Sequence, residues 1–393
     1  MPSKNINPDS AMPTGSRKTK KVMIVAGEAS GDMHGAALVH EMSKINPSLN
    51  FYGIGGSQLG KMGVKLVVNN SSLAVMGITE VISKLISILK ILAMMKKSLD
   101  DDRPDLVILI DFADFNLRLA KAAKKKGIKV FYYISPKVWA WRKTRINQIK
   151  KFVDRMAVIF PFEVDTYAAK GYTVNYVGHP LVEMVKSHDT KQDSRKKIDI
   201  PENKTTIALL PGSRLSEVTT LLPEMVLAAE IVAQKIPDIQ FVLPLADTIE
   251  EKIIFDLTKG SSLKIKVIAG KTYDVISSAD LAIVASGTAT LETGLLGVPM
   301  IILYKFSPFT ALIARMLITP QPIGLVNIIA GKMIAPELLQ QEANANRIAS
   351  EALAILLNEE KKQEIIAQLQ DIRIKLGEAG AARRAAQIAC DML

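Results

Sequence analysis

The chain holds one cysteine, Cys390, three residues from its end, so no disulfide can form within it. A fold stapled by disulfides is excluded, and a reducing compartment is the natural setting. Histidine is scarce as well, and neither the four histidines nor the cysteine show metal-ligand spacing. Aromatic residues make up 5% of the chain. Base-stacking platforms are therefore few, no nucleic-acid motif is present, and no nucleic-acid partner is expected. The first apolar run, Val22–Ala26, is too short for the core of a signal peptide. No stretch is long and charge-free enough to span a bilayer.

What is present is globular: 48% hydrophobic and 23% charged residues. A chain of 393 residues exceeds one ordinary core, so two domains are expected. The net charge of +11 is uneven. Residues 21–180 carry 23 Lys/Arg against 13 Asp/Glu, whereas residues 181–393 carry 23 against 25. A basic first half beside a near-neutral second half suggests an anionic surface or ligand for the first alone.

Short apolar runs alternate with amphipathic stretches. Examples are KVMIVA (21–26), LVILID (106–111), KVFYYI (129–134), TIALLP (206–211) and LAIVAS (281–286). Near-continuous apolar strands between helices mean parallel sheets covered on both faces. The alternation restarts near residue 205, after the charged stretch 186–204. The expected organisation is a disordered leader (1–20), a Rossmann-like domain (21–185), a linker (186–204), a second Rossmann-like domain (205–355) and a helical tail (356–393). The tail carries Ile365, Leu369, Ile372 and Leu376 at helical spacing and is expected to pack outside the second domain. Ligands of such sheets sit beyond the carboxyl ends of the strands, so motifs there carry the most weight.

The first strand runs into AGEASGDMHGA (26–36). Its glycines are spaced by four, which is not the dinucleotide fingerprint G-x-G-x-x-G and argues against a nicotinamide enzyme. Glu28 and Asp32 stand at this strand-to-helix junction, with helix capping as the alternative for Asp32. In PDLVILIDFADFN (104–116), Asp111 follows a fully apolar strand and suits general-base work, while Asp114 reads mostly as a cap for the next helix. YYISPKVWAWR places Trp139 and Trp141 beside Lys137 and Arg142, either to hold a sugar or phosphate or to pack. His179, in Gly-His-Pro, sits in a constrained turn where a structural role is the more common one.

In the second half, LLPGSRLSE (209–217) puts Arg214 at a helix start, where its fork can clamp a phosphate. ASGTATLE (285–292) repeats the design: Ser286, Gly287 and Thr288 offer hydroxyls and N–H groups to a pyrophosphate, and Glu292 could accept from ribose hydroxyls. Each alone could be a cap. Two anion-ready helix starts in one α/β domain favour nucleotide binding.

With these motifs the chain resembles the lipid-A-disaccharide synthase family, glycosyltransferases of the GT-B architecture. The likeness runs from about residue 21 to the C-terminus, through VAGEASGD, VMGITEV (75–81), LIDFADFN, SPKVWAWR, GHP, LLPGSR, ASGTATLE and GLVNIIAG (324–331). It implies an α/β fold with two doubly wound domains facing a cleft, and no cofactor. It also implies inverting transfer of diacylglucosamine from its UDP derivative to the 6-hydroxyl of diacylglucosamine 1-phosphate. Asp111 would be the base. Arg214, Ser286, Gly287, Thr288, Glu292 and Asn327 would bind UDP. Glu28, Asp32, Asp114 and His179 would lie on the acceptor side. The setting would be the cytoplasmic face of the inner membrane, and a homodimer is compatible. The chain departs from the family pattern at Val326, where a proline is expected, and at Ser307-Pro308-Phe309-Thr310, which lacks an adjoining basic residue but has Lys305 nearby. A UDP-sugar epimerase and a non-catalytic nucleotide-sugar binder are the rival readings.

Residues 78–97, ITEVISKLISILKILAMMKK, would make a helix about 30 Å long. Lys84 and Lys90 would each cost about 2.5–3.5 kcal/mol at a bilayer centre. The expectation is a helix lying in the membrane interface, with Ile82, Leu85 and Leu89 in the acyl region. The alternative is a helix covering the sheet.

Overall fold

A computed structural model describes residues 19–70, 81–136, 145–185, 190–305 and 322–393, with backbone alone for 81–85. Most of the expected leader lies outside the described residues, as do VMGITEV up to Glu80 and the cluster Lys137, Trp139, Trp141 and Arg142. So do residues 186–189 and Ser307 to Thr310.

The chain forms two compact units. The first comprises residues up to Val158, Glu163–Val177 and Ala382–Leu393; the second comprises Ile159–Phe162 and Gly178–Ala381. In the first, seven parallel strands are β1 (Lys20–Ala26), β2 (Leu49–Gly55), β3 (Lys65–Asn69), β4 (Leu106–Ile110), β5 (Lys129–Tyr133), β6 (Arg155–Val158) and β7 (Asn175–Tyr176). Their order is β3-β2-β1-β4-β5-β6-β7. The second unit has β8 (Thr206–Leu210), β9 (Gln240–Leu245), β10 (Ile265–Ala269), β11 (Leu281–Ala285), β12 (Met300–Tyr304) and β13 (Glu337–Leu339), in the order β10-β9-β8-β11-β12-β13.

The central strands are the continuous apolar runs, because both their faces are covered by helices. Val22 to Ala26 and Leu106 to Ile110 have no exposed surface. Winding reverses between β1 and β4, and again between β8 and β11, which leaves a crevice at the strand ends. Register sets what emerges there. Ala26 pairs with Ile110, so Gly27 and Asp111 leave the first sheet side by side. Val284 pairs with Leu210, so the loops at Gly212 and Ser286 leave the second sheet together.

Three expectations change. Lys20, counted with the leader, opens β1. In the stretch read as a linker, residues 190–204 fold into the second unit. A Thr190/Asp193 capping box starts the helix Lys191–Lys197, and Arg195 is buried. Its guanidinium donates to Asp280 at 2.9 Å and to the Ser278 carbonyl at 2.9 Å. A charged run read as a linker thus contains a buried, fully engaged arginine. The tail is divided. Ile365, Leu369, Ile372 and Leu376 are buried within the second unit, with Leu369 close to Gly294. The final helix, Ala381–Cys390, adds to the first: Lys129 donates to the Met392 carbonyl at 2.5 Å and Arg384 to the Val177 carbonyl at 2.9 Å.

The helix Val81–Asp101 covers the first sheet with Leu92, Met95 and Leu99 in the core. Its opposite side exposes Ile86, Leu89 and Met94 together with Lys90 and Lys97. Leu89, expected in the acyl region, shares its exposed side with Lys90 and Lys97, and the apolar face with Leu92 is spent on the core. The side chains of Ile82, Lys84 and Leu85 lie outside the described residues. Among the described residues, no helix is long and apolar enough to cross a membrane.

Candidate active site

In the first unit, β4 stops at Ile110 and the chain turns at once into the helix Ala113–Lys125. The turn needs two consecutive left-handed residues, Asp111 (φ +46°) and Phe112 (φ +43°). Side chains rarely adopt this region, and each instance stores about 1–3 kcal/mol. The surroundings hold it. Asn116 Nδ2 donates to the carbonyls of Asp111 at 2.7 Å and Ile110 at 3.2 Å. The Tyr132 hydroxyl donates to the same Asp111 carbonyl. Burial, and next the negative charge of Asp111, push the Tyr132 phenol well above its ordinary range, so it remains a donor. Phe112 stacks on Phe115 at 5.2 Å and lies against Gly27, where a Cβ would stand 2.5 Å from the ring. Asp111 itself is half-buried at the mouth of the sheet.

The other acidic candidates of this unit divide by their partners. Glu28 occupies the N-cap position of the helix Ala29–Ile45, exposed and without a side-chain capping bond. Asp32 is 4% exposed, and its carboxylate accepts from the N–H groups of Gly56 (2.6 Å), Gln58 (2.9 Å) and Leu59 (3.1 Å). It secures the turn after β2 and does not cap its own helix, because it lies one turn inside it. Asp114 does not cap either: Phe112 holds the N-cap position, and Asp114 is an exposed partner of Arg145.

In the second unit, β8 leads into Pro211-Gly212-Ser213-Arg214 and the helix Leu215–Lys235. Gly212 is left-handed at φ +112°, and a Cβ there would meet Glu217 Oε2 at 2.5 Å. That carboxylate accepts from the N–H groups of Ser213 and Arg214, both at 3.3 Å, and shapes the loop. The Arg214 guanidinium is exposed and held at 3.0 Å from Glu217 Oε1. After β11, the Ser286 N–H is tied to the Leu303 carbonyl at 2.8 Å, and Gly287 and Thr288 are exposed at the start of the helix Thr288–Leu295. Two helix N-termini therefore open on one switch point, an arrangement suited to a diphosphate. One turn along, Glu292 is half-buried, and burial raises its carboxyl above the ordinary range.

Two expected contacts play other parts. Asn327 has no exposed surface. Its Oδ1 accepts from Ile334 N (2.8 Å) and Ala335 N (3.0 Å), while Nδ2 donates to the Ala335 carbonyl (2.8 Å) and Glu337 Oε1 (2.7 Å). Its amide is spent on clamping the loop ahead of β13. His179 is buried, accepting at Nδ1 from Leu181 N at 3.1 Å, with its ring 5.0 Å from Phe160. Lys305 pairs with Glu224 at 2.9 Å.

Tyr132, Asn116, Glu217 and Tyr273, whose hydroxyl donates to Glu292, are not singled out by the sequence. Asn116 lies within the LIDFADFN motif, but nothing in the sequence marks it as a donor to the Asp111 carbonyl. Glu217, three residues after Arg214, is the position from which a capping box reaches back. Tyr132 and Tyr273 gave no signal, since their partners are distant in sequence.

Crystal structures with this fold carry different activities. The UDP-GlcNAc 2-epimerase of Neisseria meningitidis, bound to UDP-GlcNAc, matches at a TM-score of 0.59 and 15% identity, over 94% of this chain and 98% of the epimerase. MurG of Acinetobacter baumannii matches at 0.60 and 14%, over 95% and 100%. The two doubly wound sheets, each with its own switch-point loops, are those of the GT-B fold. Sequence narrows this further. The family model for lipid-A-disaccharide synthetase matches residues 22–392. The lipid-A-disaccharide synthase of Syntrophus aciditrophicus is 52% identical over 376 residues, covering 95% of this chain and 98% of the relative. The chain belongs to the lipid-A-disaccharide synthetase family and is a glycosyltransferase.

Proposed function

We propose that the chain transfers 2,3-diacylglucosamine from UDP-2,3-diacylglucosamine to the 6-hydroxyl of 2,3-diacylglucosamine 1-phosphate, releasing UDP and the β(1→6) disaccharide 1-phosphate. The observation that carries the mechanism is the strained turn setting Asp111 at the switch point of the first sheet. Asp111 takes the proton of the acceptor hydroxyl as its oxygen attacks the anomeric carbon. The bond to the diphosphate breaks on the opposite face, which inverts the centre. The electron pair leaves with UDP, steadied by Arg214 and by the helix starts at Leu215 and Thr288. Ser286 and Gly287 donate to the diphosphate, and Glu292 accepts from the ribose. Asn327 acts by clamping the loop ahead of β13. Glu28 is exposed at a helix start on the acceptor side, whereas Asp32, Asp114 and His179 serve through their local partners.

The family match at 52% identity favours transfer over epimerisation, which the shared fold alone does not separate. The basic first half and the exposed Ile86, Leu89 and Met94 support contact with an anionic membrane at its cytoplasmic face.

Asp111→Asn is expected to lower kcat by about 10²–10⁴-fold, the usual worth of a general base. Its UDP affinity by calorimetry stays within about two-fold, since Asp111 is not among the proposed nucleotide contacts, all of which belong to the second unit. Arg214→Ala and Glu292→Ala weaken UDP binding by roughly ten-fold or more, as expected for a charged hydrogen bond. Near-normal turnover of Asp111→Asn removes it from the base role. Unchanged UDP affinity in both other variants places the nucleotide elsewhere.

A further inference from the structure

We propose that Tyr132 and Asn116 are positioning residues for the reaction, fixing the left-handed turn that aims the Asp111 carboxylate. The inference rests on reading Asp111 as the base. Neither residue need touch a substrate. Each acts on the backbone carbonyl of Asp111, from a different element: Tyr132 from β5 and Asn116 from the helix Ala113–Lys125.

The geometry is demanding. Asp111 and Phe112 together occupy a region that either would leave if unconstrained. Rotating Asp111 back to an ordinary backbone would swing its carbonyl away from both donors. In the left-handed state the carbonyl accepts from both donors, and the two bonds favour that state. Asn116 is wholly buried and oriented for this task at a cost to itself. Its Nδ2 serves the carbonyls of Ile110 and Asp111, while its Oδ1 is buried without a hydrogen-bond partner among the described residues. Tyr132 is fully buried, and its phenol stays protonated.

A residue that merely stabilised the fold would behave differently. Removing the Tyr132 hydroxyl loses one hydrogen bond but also lets the turn shed strain. The two effects oppose each other in stability and reinforce each other in misplacing Asp111. The expected signature is a fall in kcat with little change in melting temperature.

The test is a double-mutant cycle on the full chain, with UDP release measured at saturating donor and acceptor and extended incubation for slow variants. Tyr132→Phe is expected to lower kcat by about ten-fold, the scale of one hydrogen bond. Its KM for the UDP-sugar and its UDP affinity stay within about two-fold. Asn116→Ala follows the same pattern; if it does not fold, Tyr132→Phe decides. In an Asp111→Asn background neither substitution lowers the residual rate further, because there is no base left to aim. Unchanged kcat in a folded Tyr132→Phe, or a ten-fold loss that recurs in the Asp111→Asn background, overturns the proposal. High turnover by Asp111→Asn alone refutes the base reading instead, and the positioning role with it.

Discussion

The Tyr273 hydroxyl donates to Oε1 of Glu292 at 3.1 Å, within the second unit and one turn beyond the helix start at Thr288. Burial raises the Glu292 carboxyl, and this hydrogen bond opposes the rise by favouring the ionised form. Only the carboxylate can accept from ribose hydroxyls at both oxygens. On the proposed role of Glu292 at the ribose, UDP affinity is expected to be full above its raised pKa and to decline as pH falls through it. In Tyr273→Phe the opposing contribution is gone, the pKa rises further, and the decline begins at higher pH. Calorimetric titration with UDP across mildly acidic pH checks this; superimposable profiles would detach Tyr273 from the nucleotide site.

Gly27 faces the Phe112 ring so closely that a Cβ would stand 2.5 Å from it. Gly27→Ala is expected to displace Phe112 and the neighbouring Asp111, with about 1–3 kcal/mol of overpacking cost. The expected result is reduced kcat with unchanged UDP affinity, measured beside thermal melting. A variant with wild-type kcat would show that the turn tolerates movement of Phe112.

The helix Val81–Asp101 presents Ile86, Leu89 and Met94 on the side away from the core. Replacing all three with Ser is expected to reduce co-sedimentation with vesicles containing anionic phospholipid and to spare the melting temperature. Leu92→Ser should do the reverse, because Leu92 is in the core and burying a polar group there costs about 1–3 kcal/mol. Unchanged sedimentation of the folded triple variant would contradict the membrane contact.

Much of the fold was legible because central parallel strands are short, apolar and punctuated by charged or glycine-rich ends. LVILI and LAIVA are read as strands from composition alone, and their positions as β4 and β11 follow from topology. The motif at Asp111 was legible for the same reason: a carboxylate directly after a buried strand stands at its open end. What holds it there was not. The bond from Tyr132 to Asp111 joins residues 21 apart, and a positive φ leaves no mark when the residue is Asp or Phe instead of Gly. Asp32 and Asn327 show the reverse failure. Both are polar residues within motifs, and their polarity serves buried backbone N–H and carbonyl groups that no pattern reveals. Arg195 was missed in the same way, because SRKK reads as part of a charged linker until Asp280 is placed beside its second residue.

The most direct measurement is UDP release from UDP-2,3-diacylglucosamine by the full chain, with and without 2,3-diacylglucosamine 1-phosphate, products resolved by mass spectrometry. A transferase releases UDP only when the acceptor is present, with one disaccharide 1-phosphate formed for each UDP. UDP release without acceptor, or an isomerised UDP-sugar with no disaccharide, would contradict the transfer reaction and favour hydrolysis or epimerisation on the same fold.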